Sequence, residues 1–264
     1  MVTSVAQCTA TQNYLFMGNP GTGKSTLINC LVRKAVFQSG VCFGGGLTEH
    51  FQKLTHENIQ YMDTPGLADR KLKDKAAAAI TEALRQTGQY KLFFLVRLEN
   101  GRVVSDDLAT IEIVLKSIEL DDVPFTIIIN NVKKRQYSNI MEKGTDFLKV
   151  VALINSIKYT TPHIVFIPVI SELDEEDNVV TDLPGDVESF IRFEAPVCEI
   201  SPQLVKPIKI EDFNKISEAL REIQEQLLLD NAAMERQVAE LTNKSGTFER
   251  QPNDSNNDVA MLSP

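Results

Sequence analysis

The stretch Gly18-Asn19-Pro20-Gly21-Thr22-Gly23-Lys24-Ser25-Thr26 constrains this chain more than any other segment. It fits the spacing G-x-x-x-x-G-K-[ST], in which a glycine turn leaves a strand and enters a helix. Both flanks agree with that geometry. Tyr14, Leu15, Phe16 and Met17 form an apolar run of strand length, and Leu27, Ile28, Leu31 and Val32 recur on one face of a helix. The turn curls the backbone so that its N–H groups point inward, and the helix N-terminus adds partial positive charge at the same place. Such a concavity suits the phosphates of a nucleotide. Lys24 is expected to reach the β- and γ-phosphates, and the Ser25 hydroxyl to ligate Mg²⁺. Every residue from Gly18 to Thr26 is therefore a candidate for nucleotide binding, and Lys24 is a catalytic candidate as well.

The rest of the chain alternates strand-like and helical patterns. Strands are expected over 14–17, 51–55, 58–62, 90–98, 125–130 and 163–169, and helices over 25–37, 72–87, 106–118 and 145–157. This alternation predicts an α/β three-layer sandwich whose sheet is mainly parallel. Several of the strands are apolar throughout, as strands covered on both faces are. Residues 48–62 read as a hairpin turning near His56-Glu57-Asn58, which makes one edge strand antiparallel.

A second motif lies about 40 residues after the glycine loop, where Ile59-Gln60-Tyr61-Met62 leads into Asp63-Thr64-Pro65-Gly66. An Asp at the end of a neighbouring strand helps hold Mg²⁺, usually through water. A glycine after it lets a backbone N–H approach the γ-phosphate. Between the motifs lies Gly40-Val41-Cys42-Phe43-Gly44-Gly45-Gly46-Leu47-Thr48, a glycine-marked loop. Thr48 is the threonine expected to close on Mg²⁺, as a metal ligand and catalytic candidate, with Ser39 the lesser choice. The expected metal set is thus Ser25, Thr48 and Asp63.

Composition narrows the setting. A hydrophobic fraction of 43% supplies a sizeable core, and a net charge of −9 argues against a nucleic-acid surface, which needs a basic stripe. The longest apolar runs, 92–96 and 125–129, are strand-sized, so neither a membrane span nor a signal segment is expected. Cys8, Cys30, Cys42 and Cys198 are scattered without a C-x-x-C pair, which reads as free thiols in a reducing, cytoplasmic setting.

The order GNPGTGKS, threonine loop and Asp63-Thr64-Pro65-Gly66-Leu67-Ala68-Asp69 resembles the P-loop GTPases of the translation-factor-related class. Within that class it looks most like the AIG/GIMAP (immunity-associated nucleotide-binding) type and the septin-like proteins around it. The segment 92–107, in which a hydrophobic strand leads to Arg102 and a Ser105-Asp106-Asp107 helix start, adds to the likeness, which covers about residues 10–170. The resemblance implies a GTPase-like fold, GTP or GDP with Mg²⁺, and a switch or scaffold role controlled by nucleotide-dependent self-association. GTPases read guanine with N-K-x-D. Here Asn130 matches the first position, Asn131 replaces the lysine, and Lys133 stands at the carboxylate position. An ammonium accepts no hydrogen bond, so guanine is held by other groups or base selectivity is weak, and an ATP-binding reading stays open. Ser171 is a further candidate base contact. Ras-like enzymes orient the attacking water with a glutamine just after this turn. Leu67 and Ala68 cannot do so, and Asp69, Arg70 and Arg102 are the nearby charges. Slow hydrolysis is the expectation, with a nucleotide-gated scaffold of little turnover as the rival.

The C-terminal part changes character. The acidic run 171–177 reads as a solvated loop, and the proline-bearing stretch 182–207 as a connection. From Glu211, with Asp212 near its start, a helix places Phe213, Ile216, Leu220, Ile223 and Leu227 along one seam, continued by Met234 and Leu241. Its first half is expected to pack on the domain and its second half to project, with weak pairing as a coiled coil. The expected organisation is a GTPase-like domain over 1–200, a helix over 208–243 and a disordered tail over 244–264.

Overall fold

The apolar runs pair into one sheet. The computed structural model describes residues 11–40, 47–48, 50–68 and 72–248. The calls on Cys8, Cys42, Asp69, Arg70, most of the glycine-marked loop and the end of the tail lie outside the described residues. The chain begins with β1 (Gln12–Met17), α1 (Lys24–Val32), β2 (Gln52–His56), β3 (Ile59–Asp63) and α2 (Lys73–Leu84). It continues through β4 (Gln89–Glu99), β5 (Arg102–Val103), α3 (Ser105–Lys116), β6 (Thr126–Val132), α4 (Lys134–Met141), α5 (Thr145–Ile154) and β7 (Ile164–Pro168). Then come α6 (Ser171–Glu175), α7 (Gly185–Ser189), a π-helical turn (Phe190–Glu194), β8 (Cys198–Glu199), a short 3-10 turn (Pro202–Leu204) and α8 (Phe213–Phe248).

The sheet runs β2-β3-β1-β4-β6-β7. Strands β3, β1, β4, β6 and β7 are parallel, and β2 is antiparallel to β3, as expected. The β2–β3 turn is Glu57-Asn58, both at positive φ (50° and 63°), the backbone of a two-residue hairpin. Two additions went unseen in the sequence: β5 and β8 each pair antiparallel with β4, and each is only two residues long, too short for a period to show. The chain leaves β1 for β3 on one side and returns to β4 on the other. A reversal of this kind opens a crevice beyond the carboxyl ends of the strands.

Alternation sorts the strand side chains to two faces. Tyr14, Phe16, Tyr61, Phe93, Leu95 and Ile128 pack with Leu27, Ile28 and Leu31 of α1 and with Val187 and Ile191. Phe16 and Phe93 stack at 4.7 Å between ring centroids. The alternate residues Leu15, Met17, Leu92, Phe94, Val96, Ile127 and Ile129 are equally buried. Each such side chain contributes about 1.5–3 kcal/mol, which holds the strand ends, and the loops they carry, in place.

Helix α1 is shorter than its apolar period suggested. Arg33 adopts the left-handed conformation (φ 55°) and ends the helix at Val32. The following turn folds back because buried Asn29 accepts the N–H groups of Val36 (3.0 Å) and Phe37 (2.9 Å) and donates to the Phe37 carbonyl (2.7 Å). Helix α4 was missed because Ile140 is its one buried residue, so it carries no apolar stripe. In α8, Phe213, Ser217 and Leu220 are buried, whereas Ile223, expected in the seam, is 45% exposed. The chain divides into a Met1–Ile223 unit and a Gln224–Pro264 unit, so the division falls inside α8. Leu229, Met234, Val238 and Leu241 of the second unit are exposed, and α8 itself runs to Phe248, past the expected start of the tail.

Candidate functional site

The loop between β1 and α1 is shaped by its glycines. Gly23 has φ 88°, and a Cβ there would lie 2.3 Å from Asn130 Nδ2, so no larger residue fits without displacing that amide. Asn130, at the end of β6, donates to the Thr22 carbonyl at 3.0 Å and braces the loop from the far side. Thr22 in turn donates its hydroxyl to the Asn19 carbonyl (2.9 Å). The Gly23 carbonyl accepts Leu27 N–H (2.9 Å), which opens α1 at Lys24 and leaves its first N–H groups facing the crevice.

Lys24, Ser25, Thr48 and Asp63 converge at this point. Ser25 donates its hydroxyl to Asp63 Oδ2 at 2.6 Å, Thr48 reaches the same oxygen at 3.2 Å, and the two hydroxyls are 3.4 Å apart. Asp63 is fully buried at the end of β3, and its Oδ1 has no hydrogen-bond partner. Burial raises the Asp63 carboxyl above the ordinary range, against the pull of Lys24 and the hydrogen bonds from Ser25, Thr48 and the Thr64 backbone. Lys24 is also buried, its ammonium donating to the carbonyls of Gly18 (2.9 Å) and Asn19 (3.2 Å). Desolvation lowers it, opposed by Asp63 and Asp107. A cation at the two hydroxyls would relieve the orphaned carboxylate oxygen, and phosphate would stabilise the ammonium. Hard oxygen donors in this small number suit Mg²⁺, which keeps several waters and takes few protein ligands. Among the described residues there is no cluster of three or more His, Cys, Asp or Glu side chains that suits a different metal.

Gly66 lies flat on the loop. A Cβ there would be 2.3 Å from Pro20 Cδ and 2.7 Å from the Asn19 carbonyl carbon, so the Gly66 turn and the loop are in backbone contact. Thr64 donates to the Phe16 carbonyl (3.0 Å) and ties the same turn to β1. Leu67 is fully buried and turns no polar group toward the crevice.

A cavity of about 700 Å³ joins these parts, within the size range of small-molecule sites. It is lined by Pro20, Gly21, Gly23, Lys24, Ser25, Thr26, Ser39, Thr48, Gly66 and Asn130 of the expected set. Gly18, Asn19, Thr22 and Asp63 lie behind that surface and support it. Ser171 is exposed at the first turn of α6 and is not in the lining, where Ile170 and Leu173 stand instead. Lys133 is likewise exposed and outside the lining, so the ammonium at the carboxylate position does not face the cavity. The acidic run does: Glu175, Glu176 and Asp177 are exposed, as expected of a solvated segment, and they also line the cavity wall. Asn178 fixes this segment, its N–H donating to Ser39 O (3.1 Å) while its Oδ1 accepts Ser39 N–H (2.9 Å). Gln38 and Asn131 also line the cavity and were not foreseen. Asn131 sits at φ 59° where the β6–β7 register shifts, a bulge that no sequence period announces.

Residues 13–131 match the family model described as 50S ribosome-binding GTPase. No curated protein matches the chain. Among solved structures it is similar to NFeoB from S. thermophilus bound to GDP, AlF4⁻ and K⁺, with 16% identity, 75% of this chain and 65% of that chain covered, and a TM-score of 0.41. Era in complex with MgGDPNP and 16S ribosomal RNA shows 20% identity, 61% and 51% coverage, and a TM-score of 0.38. Toc33 from Arabidopsis thaliana with GDP and Mg²⁺ shows 14% identity, 78% and 84% coverage, and a TM-score of 0.37. The chain thus spans 65% and 51% of the lengths of the first two. The matched segment, which runs from β1 to the loop-bracing end of β6 and carries the loop, strand-end carboxylate and glycine turn of this site, is similar to the family described as 50S ribosome-binding GTPase.

Proposed function

We propose that this chain is a cytoplasmic guanine-nucleotide switch of the AIG/GIMAP type, in the septin-like branch, that binds GTP or GDP with Mg²⁺ and hydrolyses GTP slowly. The carrying observation is the meeting of Ser25, Thr48 and Asp63 within 3.4 Å, beside Lys24 and at the mouth of the cavity. In this reading Lys24 holds β- and γ-phosphate oxygens, the N–H groups of the loop cradle the chain of phosphates, and Gly66 N–H meets the γ-phosphate. Ser25, Thr48 and Asp63 would hold Mg²⁺, which when bound would neutralise charge developing on the phosphates. Glu175, Glu176 and Asp177 offer carboxylate acceptors for the guanine N1–H and N2 amino donors, a donor pair that adenine lacks. The net charge of −9 supports a partner other than nucleic acid. Nucleotide-dependent self-association, through the domain or α8, belongs to the same reading. Buried Leu67 favours a second reading, a nucleotide-gated scaffold with little turnover. Titration of fluorescent GTP, GDP and ATP analogues with and without Mg²⁺ tests the assignment. Lys24→Ala is expected to weaken triphosphate binding at least about tenfold, since a charge-assisted contact is lost. Unchanged affinity would overturn the phosphate assignment, and equal GTP and ATP affinities would overturn the guanine preference.

A further inference from the structure

Asn19 belongs to the phosphate loop, yet its side chain is wholly buried and faces away from the cavity lining. Its carboxamide makes three hydrogen bonds, to two segments: α3 and the turn after Gly66. Nδ2 donates to Asp107 Oδ1 at 2.8 Å. Oδ1 accepts the Ala68 N–H at 3.0 Å and the Thr110 hydroxyl at 3.0 Å. Asp107 is held in turn by Arg97, which donates its backbone N–H (2.9 Å), Nε (3.1 Å) and Nη2 (3.1 Å). Ala68 stands two residues beyond Gly66, and the Gly66 turn rests on the Asn19-Pro20 peptide. We infer that Asn19 is a positioning residue. Its carboxamide holds the Ala68 peptide, and with it the Gly66 N–H, at the height a γ-phosphate requires, and it ties that setting to the start of α3.

The chemistry explains the residue type. The position needs a donor toward Asp107 and an acceptor toward Ala68 and Thr110 at once, which an amide supplies. An aspartate would set two buried carboxylates side by side, and an apolar residue would take one donor from Asp107 and leave the Ala68 N–H without its acceptor. A bound diphosphate makes no contact with Gly66 N–H in the switch reading, on which this inference rests. Asn19 therefore governs discrimination between triphosphate and diphosphate, not binding as such. A residue that merely kept the loop folded would change both affinities together.

The test compares full-length wild type, Asn19→Ala and Thr110→Val by titration with fluorescent GDP and a non-hydrolysable GTP analogue. Asn19→Ala is expected to weaken the triphosphate analogue roughly five- to tenfold, the scale of one or two hydrogen bonds, and to change GDP by less than about twofold. Thr110→Val, which removes one donor to the same oxygen, is expected to act in the same direction and less. The double variant is expected to be no worse than Asn19→Ala alone, because both act through one carboxamide. If Asn19→Ala does not fold, Thr110→Val decides alone. Equal losses for the two nucleotides, or no loss for either, overturns the positioning role while leaving the nucleotide switch intact. A wild type that binds neither nucleotide overturns both.

Discussion

Asp107→Ala is the perturbation whose cost the structure specifies most closely. The carboxylate is fully buried and accepts from Arg97 through backbone N–H, Nε and Nη2, and from Asn19 Nδ2. Burial by itself would lower the Arg97 pKa, but hydrogen bonds and charge from Asp107 outweigh it, so the guanidinium ends above its ordinary value. Truncation leaves that cation, a backbone N–H and the Asn19 amide without their acceptor. Removing one partner of a buried pair costs about 3–5 kcal/mol. The Arg97 side chain is 30% exposed and has Glu99 at 3.7 Å, so water and a second carboxylate share the load. The estimate therefore sits at the low end, about 3 kcal/mol. For a unit the size of Met1–Ile223, each kcal/mol moves the melting point by about 2–4 °C, so a fall of roughly 6–12 °C is expected. The control is Lys116→Ala, whose partner Asp212 is 3.5 Å away and whose side chain is 66% exposed. Exposed pairs contribute about 0–1 kcal/mol, so its shift should stay within a few degrees. Circular dichroism melts of both variants and wild type make the comparison. Equal shifts for the two variants would refute the reasoning, since the network would then carry no more than a surface pair.

Three further outcomes are expected. Burial holds the Asp63 carboxyl above its unfolded pKa, so the stability tied to that group is fully present below the unfolded value and is lost as pH rises through the folded one. Asp63→Asn should then leave the metal-free protein at least as stable as wild type at neutral pH, with a flatter stability slope above the carboxylate range, while the Mg²⁺-dependent gain with triphosphate disappears. A lower melting point at neutral pH in the metal-free variant would contradict it. Ser25→Asn should shift preference from triphosphate toward diphosphate in the same titrations, because a hydroxyl ligand to Mg²⁺ is lost; a wild-type ratio would exclude Ser25 as a ligand. Specific activity should rise with protein concentration, and a triphosphate analogue should favour dimers in light scattering. A flat rate over a hundredfold range, with monomers in both nucleotide states, would exclude self-association as the missing catalytic step.

The parts of this protein that depend on near neighbours were legible in the residues. The loop from Gly18 to Thr26 needs only a strand before it and a helix after it, and both periods are visible within a dozen positions. Asp63 and Gly66 sit at the end of an apolar strand, so their arrival at the crevice followed from the parallel α/β pattern alone. What tertiary structure decided lies between segments. The Asn19–Asp107 bond spans 88 positions and the Asn130–Thr22 brace spans 108. The acidic run at 175–177 faces the cavity because Asn178 docks it on Ser39, 139 positions away. Helix α4 and the short strands β5 and β8 carry no period of their own. Local spacing sets which atoms a short segment can present. Which of them meet is set by strand order and register, since a hydrogen bond forms or fails over a few tenths of an ångström and no single segment holds both of its ends.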